Sequence, residues 1–236
     1  MSGQVPLSLP QGWAVLACRV LEPELSLLLA AGSRVEYLDQ GLHRTPDLLR
    51  DTVAAKLKEM EEAPGLDTVI LAYGYCGGGL KEITAQRVRL VVPAVHDCIP
   101  LLLGRFPQRD TGQPAAFYLS AGWIDHGQTP FTEFQRTKEK YGEEDALWVG
   151  REMLKGYDRV TLVTSSLTED PRYPEHARQS AALFGLAYDE APAGFGWLKA
   201  LLAGGEGLGC LIVPPDTPLE LSMFPSQGVQ APAARE

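Results

Sequence analysis

The sequence predicts an α/β fold: a mainly parallel, Rossmann- or flavodoxin-like sheet flanked by helices, with room for two similar lobes. Two observations carry that reading. Short apolar runs of strand length alternate with segments of helical pattern along most of the chain. Its 236 residues, 45% apolar and 22% charged, are enough to bury a core without disulfide staples.

The first apolar run, Trp13–Val20, is expected as a strand, and Pro23–Ala31 as a helix ended by Gly32. Arg34–Leu38 alternates and is expected as the second strand. Thr45 and Pro46 then suit the N-cap and first position of a helix whose stripe is Leu48, Leu49, Val53 and Leu57, stopped by Pro64-Gly65. Thr68–Tyr73 is a buried strand running into Gly74-Tyr75-Cys76-Gly77-Gly78-Gly79, with a helix expected near Leu80. Arg89–Val95 is the fourth strand, followed by His96-Asp97-Cys98 and a helix from Ile99. Ala115–Ser120 is the fifth. A long helix over about Thr132–Tyr157, with a break at Gly142, precedes a strand at Arg159–Ser165. Helices at Pro174–Phe184 and Trp197–Ala203 and a last strand at Gly209–Val213 complete the pattern. The expected layout is an N-terminal extension over residues 1–12 and an α/β lobe over 13–107 carrying the Cys and His motifs. A second lobe, or a continuation of the same domain, covers 115–213 after a break near Gln108–Pro114, and a flexible tail covers 216–236.

Charge and hydropathy exclude several classes. Thirty acidic against 21 basic residues give a net charge of −9, which repels phosphate backbones and argues against nucleic-acid binding. No apolar run reaches the ~20 residues that span a bilayer. No basic region precedes an apolar stretch at the N-terminus, so a soluble, cytoplasmic protein is expected, without a membrane partner. No Gly-x-Ser-x-Gly elbow points to a serine hydrolase.

Ligands of open α/β sheets bind beyond the carboxyl ends of the strands. Cys18 closes the first strand, and Cys76 and Cys98 follow the third and fourth. In a 2-1-3-4-5 strand order these strands are neighbours ~4.8 Å apart, so the three thiols are expected at one edge. His96, two residues before Cys98, shares its face if the backbone is extended. Thiolates with a histidine suit zinc or a [4Fe-4S] cluster, three protein ligands leaving one position open. The competing reading is that each cysteine is a small buried hydrophobe, and for Cys210, inside the last strand, that reading is preferred.

Gly77, Gly78 and Gly79 follow a strand, where exposed N–H groups and a helix start would favour an anion; a plain tight turn is the alternative. No Gly-Lys-Ser/Thr follows, so this is not a Walker loop. His43 and Arg44, after the second strand, are candidate contacts for an anionic small-molecule substrate, or simply a loop histidine and a solvated arginine. His43 is also a candidate acid/base group. Asp97 is a candidate orienting or acid/base residue, or a cap for the Ile99 helix. Trp123 is expected to wall the same cleft with Asp125, or to be core.

Ala17-Cys18, Tyr37-Leu38-Asp39-Gln40-Gly41-Leu42-His43-Arg44-Thr45-Pro46, Tyr73-Gly74-Tyr75-Cys76-Gly77-Gly78-Gly79-Leu80 and His96-Asp97-Cys98-Ile99-Pro100-Leu101-Leu102-Leu103-Gly104 form a distinctive combination. With Pro93, Gly122-Trp123 and Tyr141-Gly142, it resembles the domain of unknown function 1638 (DUF1638) family over about Trp13–Val213. Cys18, Cys76, His96 and Cys98 fall inside the resembling motifs. The family pattern carries arginine where this chain has Ala94, so no arginine there serves substrate. The resemblance implies, by association with corrinoid-dependent methyl-transfer systems, a place in one-carbon metabolism.

The leading expectation is a metal-dependent enzyme of small-molecule metabolism, a transferase, lyase or hydrolase. Its metal would be held by Cys18, Cys76 and Cys98, with His96 as fourth ligand or nearby base. Two other classes stay open. One is a non-catalytic accessory or metal-delivery protein binding a corrinoid or methyltransferase protein. The other is a small-anion sensor built on the glycine loop and His43.

Overall fold

The computed structural model describes residues 5–105, 115–205 and 209–224. The chain forms two compact units: residues 1–106 with 194–236, and residues 107–193. The expected break near Gln108–Pro114 lies outside the described residues except at its flanks. Residues 194–213, grouped from the sequence with the second lobe, belong instead to the first unit.

The first unit holds a five-stranded sheet in the order β2-β1-β3-β4-β8. β1 is Trp13–Cys18, β2 Val35–Leu38, β3 Thr68–Ala72 and β4 Arg89–Pro93, all mutually parallel; β8, Cys210–Val213, joins β4 antiparallel. β1 and β3 pair from Trp13 opposite Thr68 to Ala17 opposite Ala72, so their carboxyl ends finish side by side. These strands read as unbroken apolar runs because both sheet faces are covered. On one face, Leu49, Val53, Leu57 and Met60 of α2 (Pro46–Glu61) pack on Leu16, Leu71, Leu90 and Val92. The spacing of those four residues puts them on one side of a helix. α3 (Ile99–Leu103) packs with α8 (Gly196–Leu202), which lies against β3 and β4.

Several local expectations are revised. α1 is Glu22–Leu28, not a helix to Ala31: Leu29 turns extended and bridges Leu7, whose N–H donates to Leu28 O at 2.7 Å. The N-terminal segment is thus tied into the unit. Thr45 occupies the α2 N-cap position without a side-chain bond. No helix begins near Leu80; residues 79–88 are turns and bends, with Glu82 at φ +63°. Long-range bonds hold this stretch, Glu82 N–H to Leu219 O at 2.8 Å and Leu219 N–H to Ile83 O at 2.9 Å. The expected tail is therefore docked through residue 224, where Phe224, 4% exposed, packs on Tyr75 with ring centroids 4.7 Å apart. Residues 225–236 lie outside the described residues.

The second unit holds the parallel sheet β5-β6-β7: Ala115–Leu119, Tyr157–Thr164 and Ala187–Pro192. The expected long helix is two, α5 (Pro130–Tyr141) and α6 (Glu143–Met153), separated by Gly142 at φ +92°. α4 is Ala121–His126 and α7 is Arg172–Phe184. Thr129 caps α5 by accepting from Thr132 N–H at 3.2 Å and also bonds His176 Nε2 of α7 at 2.8 Å. Among the described residues, no helix is long and apolar enough to cross a membrane.

Candidate functional site

The carboxyl edge of the first unit's sheet gathers most of the chemically active residues. Cys18 ends β1, Asp39 and Gln40 follow β2, Tyr73 and Cys76 follow β3, and His96, Asp97 and Cys98 follow β4. Two backbone bonds join the last two loops: Tyr75 N–H to Val95 O and Cys76 N–H to His96 O, both 2.9 Å. Gly74 permits this approach. A methyl group there would stand 2.5 Å from Asp97 Cα, nearer than packed atoms come. Gly79 is wanted for a similar reason, since its added methyl would meet Leu49 Cδ2 at 2.4 Å.

Cys76 itself sits at φ +48°, followed by Gly77 at +66° and Gly78 at +107°. A non-glycine residue in the left-handed region costs roughly 1–3 kcal/mol and persists where surrounding structure imposes it. Here Cys76 is held by the His96 carbonyl on one side and, through Gly79 N–H to Cys76 O at 3.2 Å, by its own turn on the other.

Cys18 and Cys76 are half-buried residues packed against the core of the first unit. Burial pushes Cys18 up to about 11, with the Val20 backbone bond opposing and Asp39 adding. Burial pushes Cys76 up to about 12, reinforced by Cys18 and Asp97 and opposed by the Gly74 backbone. Each carbonyl-end thiol therefore stays protonated near neutrality unless a cation enters. Tyr73 is 2% exposed, and its hydroxyl has no hydrogen-bond partner among the described residues. Its ionisation is pushed well up by burial, then by Cys18, Cys76 and Asp39. Tyr73, Cys18 and Cys76 thus form one cluster.

The other candidates have local settings of their own. His43 Nδ1 is engaged by Gln40 O at 2.6 Å, within the turn Gln40–Arg44 that follows β2; Arg44 ends that turn. Asp97 Oδ1 accepts from Ile99 N–H at 2.9 Å, an Asx turn leading into α3, with Cys98 at the N-cap position. Gly78 N–H donates to Tyr75 O at 3.1 Å and Gly79 N–H to Cys76 O, so both donors are used inside the turn. The helix expected to strengthen an anion site after Gly77, Gly78 and Gly79 is not formed. Trp123 and Asp125 belong to the second unit. There Asp125 receives Arg172 Nη1 at 2.7 Å and the Tyr173 hydroxyl at 2.9 Å. Cys210 lies in β8 opposite Pro93, its thiol raised to about 11 by burial.

Tyr73 and Asp39 were not singled out by the sequence. An aromatic at the end of an apolar strand reads as core, and Asp39 is one of many turn acids; only the unmet hydroxyl and the strand order mark them. Among the described residues, no three His, Cys, Asp or Glu side chains stand in a metal-holding arrangement. Cys98 and His96 lie on the bend that Cys76 N–H tethers.

No curated protein and no solved structure matches the chain. A family model described as protein of unknown function (DUF1638) matches residues 37–202. That span contains Cys76, His96 and Cys98, while Cys18 precedes it. With most of its length matched, the chain belongs to the DUF1638 family.

Proposed function

We propose that the carboxyl edge of the first unit is a thiol-based metal site and that the protein is a metal-dependent enzyme of small-molecule metabolism. One observation supports this above the rest: Cys18 and Cys76, which close or follow the neighbouring parallel strands β1 and β3, pack against the same core cluster. The charged groups around them, Asp39 and Asp97, are acidic. Protonated thiols become ligands when a thiophilic cation displaces their protons.

Cys98 is the third donor in this reading, and His96 the fourth donor or a base beside the open position. Cys18 is set by the sheet, Cys76 by the turn after β3, and Cys98 by the short bend of residues 96–98. When bound, zinc or an iron–sulfur cluster would supply Lewis acidity and an open coordination position. The protein's own part is to hold the thiols at the sheet edge, to fix Asp97 in its turn through Ile99 N–H, and to shield the site with Tyr73 and Tyr75.

The test is metal per chain after anaerobic purification. Wild type is expected to carry zinc or iron near stoichiometry, and Cys18→Ser, Cys76→Ser and Cys98→Ser to lose most of it, with Cys210→Ser unchanged. Serine is close in size but a poor ligand for soft or borderline metals. Equal content in all four folded variants refutes the assignment.

A further inference from the structure

We propose that the Tyr73 hydroxyl is the hydrogen-bond donor for a small molecule held against Cys18 and Cys76. The molecule offers a neutral oxygen or nitrogen acceptor, as an amide or carbonyl compound does, rather than a carboxylate or phosphate. The inference deepens the reading of this edge as a binding site and rests on it.

Tyr73 is 2% exposed, its ring packed in the core between the sheet and α2. Its hydroxyl meets no donor or acceptor among the described residues. Leaving a buried polar group unpaired costs about 1–3 kcal/mol, and buried tyrosines ordinarily find a partner. Phenylalanine would fill the same space without that cost. An unpaired buried group in a folded protein therefore asks for a partner that the chain does not supply. The neighbours of the hydroxyl say where that partner sits. Tyr73 directly follows β3 beside the end of β1, where Cys18 stands, and Cys18 and Cys76 pack on the same core cluster as Tyr73, which places the partner at that sheet edge.

The strand order sets the chemical class. In β2-β1-β3-β4, Asp39 follows β2 and Asp97 follows β4, flanking the ends of β1 and β3 from both sides. Each carboxylate accepts a backbone N–H, Asp39 from Gly41 at 2.7 Å and Asp97 from Ile99 at 2.9 Å, which fixes both in place. Arg19, the cation next to Cys18 in the chain, pairs with Glu22 at 3.4 Å and lies over the Tyr37 ring. An incoming anion meets two fixed negative charges, and three thiolates around a divalent metal leave the site negative as well. A neutral acceptor takes the tyrosine hydrogen bond without that repulsion. This differs from the anionic substrate that His43 and Arg44 lead one to expect from sequence.

The experiment uses full-length protein with 13C at the tyrosine Cζ, the carbon bearing the hydroxyl. Tyr73→Phe removes one of the eight tyrosine signals and so assigns it. Acetamide and acetate, matched in shape and different in charge, are titrated separately with and without one equivalent of zinc. Acetamide is expected to move the Tyr73 signal to saturation, and acetate to bind about tenfold more weakly or less. Tyr73→Phe is expected to melt at or above the wild-type temperature. The inference fails if neither probe moves the signal or if acetate saturates it as readily as acetamide. It also fails if Tyr73→Phe melts well below wild type or does not fold, because the hydroxyl then has a structural partner. Stoichiometric zinc with a Tyr73 indifferent to both probes defeats this inference alone. A Tyr73 that binds acetamide in a protein holding no metal defeats the metal reading alone.

Discussion

The N–H of Cys76 donates to the carbonyl oxygen of His96 at 2.9 Å, and that bond yokes the turn after β3 to the bend after β4. A shift of either loop carries the other with it. The geometry of the thiols is accordingly a property of two loops locked together, and disturbing the lock tests it.

Gly74→Ala is the sharpest such disturbance, since its new methyl would lie 2.5 Å from Asp97 Cα and 2.6 Å from the Asp97 carbonyl carbon. Backbone cannot give way as a flexible side chain can. A loss of about 1–3 kcal/mol is expected in urea unfolding, the range for overpacked cores. Gly196→Ala, at the start of α8 with nothing within 4 Å, is expected to be neutral or slightly stabilising.

Replacement of Cys76 separates strain from packing. At φ +48°, alanine keeps the left-handed cost and loses the sulfur, whereas glycine loses the sulfur and the cost together. Cys76→Gly is expected to be more stable than Cys76→Ala by about 1 kcal/mol, the reverse of the usual order in regular structure. Paired denaturation curves read the difference directly, and an alanine variant more stable than the glycine one contradicts it.

In metal-free protein, alkaline pH should unfold the first unit through its thiols. Their folded pKa values, about 11 for Cys18 and about 12 for Cys76, exceed the ordinary value of 9.0. The folded state therefore holds protons that the unfolded state has released. That stabilisation is complete below pH 9.0 and is lost as pH climbs through the folded values. Wild type is expected to lose stability more steeply than Cys18→Ala/Cys76→Ala above pH 9.0, by up to ~1.4 kcal/mol per pH unit for each thiol. Parallel slopes would show that the thiols ionise freely in the fold.

The second unit should be sensitive at the acid end. Burial lowers the His176 pKa below its usual 6.5. The unfolded state then takes up the proton first, so stability is present above 6.5 and drains away as pH falls through the folded value. His176→Gln, which keeps a polar group toward Thr129, is expected to flatten that limb, so that the variant loses less stability than wild type between pH 6.5 and about 5. Near-UV circular dichroism against pH distinguishes the two proteins.

Legibility from sequence followed burial. β1, β3 and β4 announce themselves as apolar runs because helices cover both faces, and the order β2-β1-β3-β4 is the one the alternating pattern predicts. β7 was missed because Ala187–Pro192 carries Asp189, Glu190 and a proline on an exposed edge strand. The stretch after Gly79 looks helical locally, yet its bonds go to Leu219, more than a hundred residues onward, which no local pattern reveals. The pairing of β8 against β4 is likewise antiparallel because the chain comes back from elsewhere. Tyr73 was invisible for a different reason: an unmet hydroxyl is a fact about surroundings, not about residue type.

The return of the chain at Gly194 also has a consequence for biosynthesis. β4 leaves the ribosome well before β8, the strand that completes its ladder, with the whole second unit made in between. Throughout that interval β4 presents an open edge, the kind of template on which chains aggregate. A truncated product ending at Ala193 would contain Cys18, Tyr73, Cys76 and Cys98 and still leave that edge bare. Fragments designed to isolate the cysteine cluster therefore need residues 194–224 supplied, in cis or as a separate peptide, before their solubility says anything about the site.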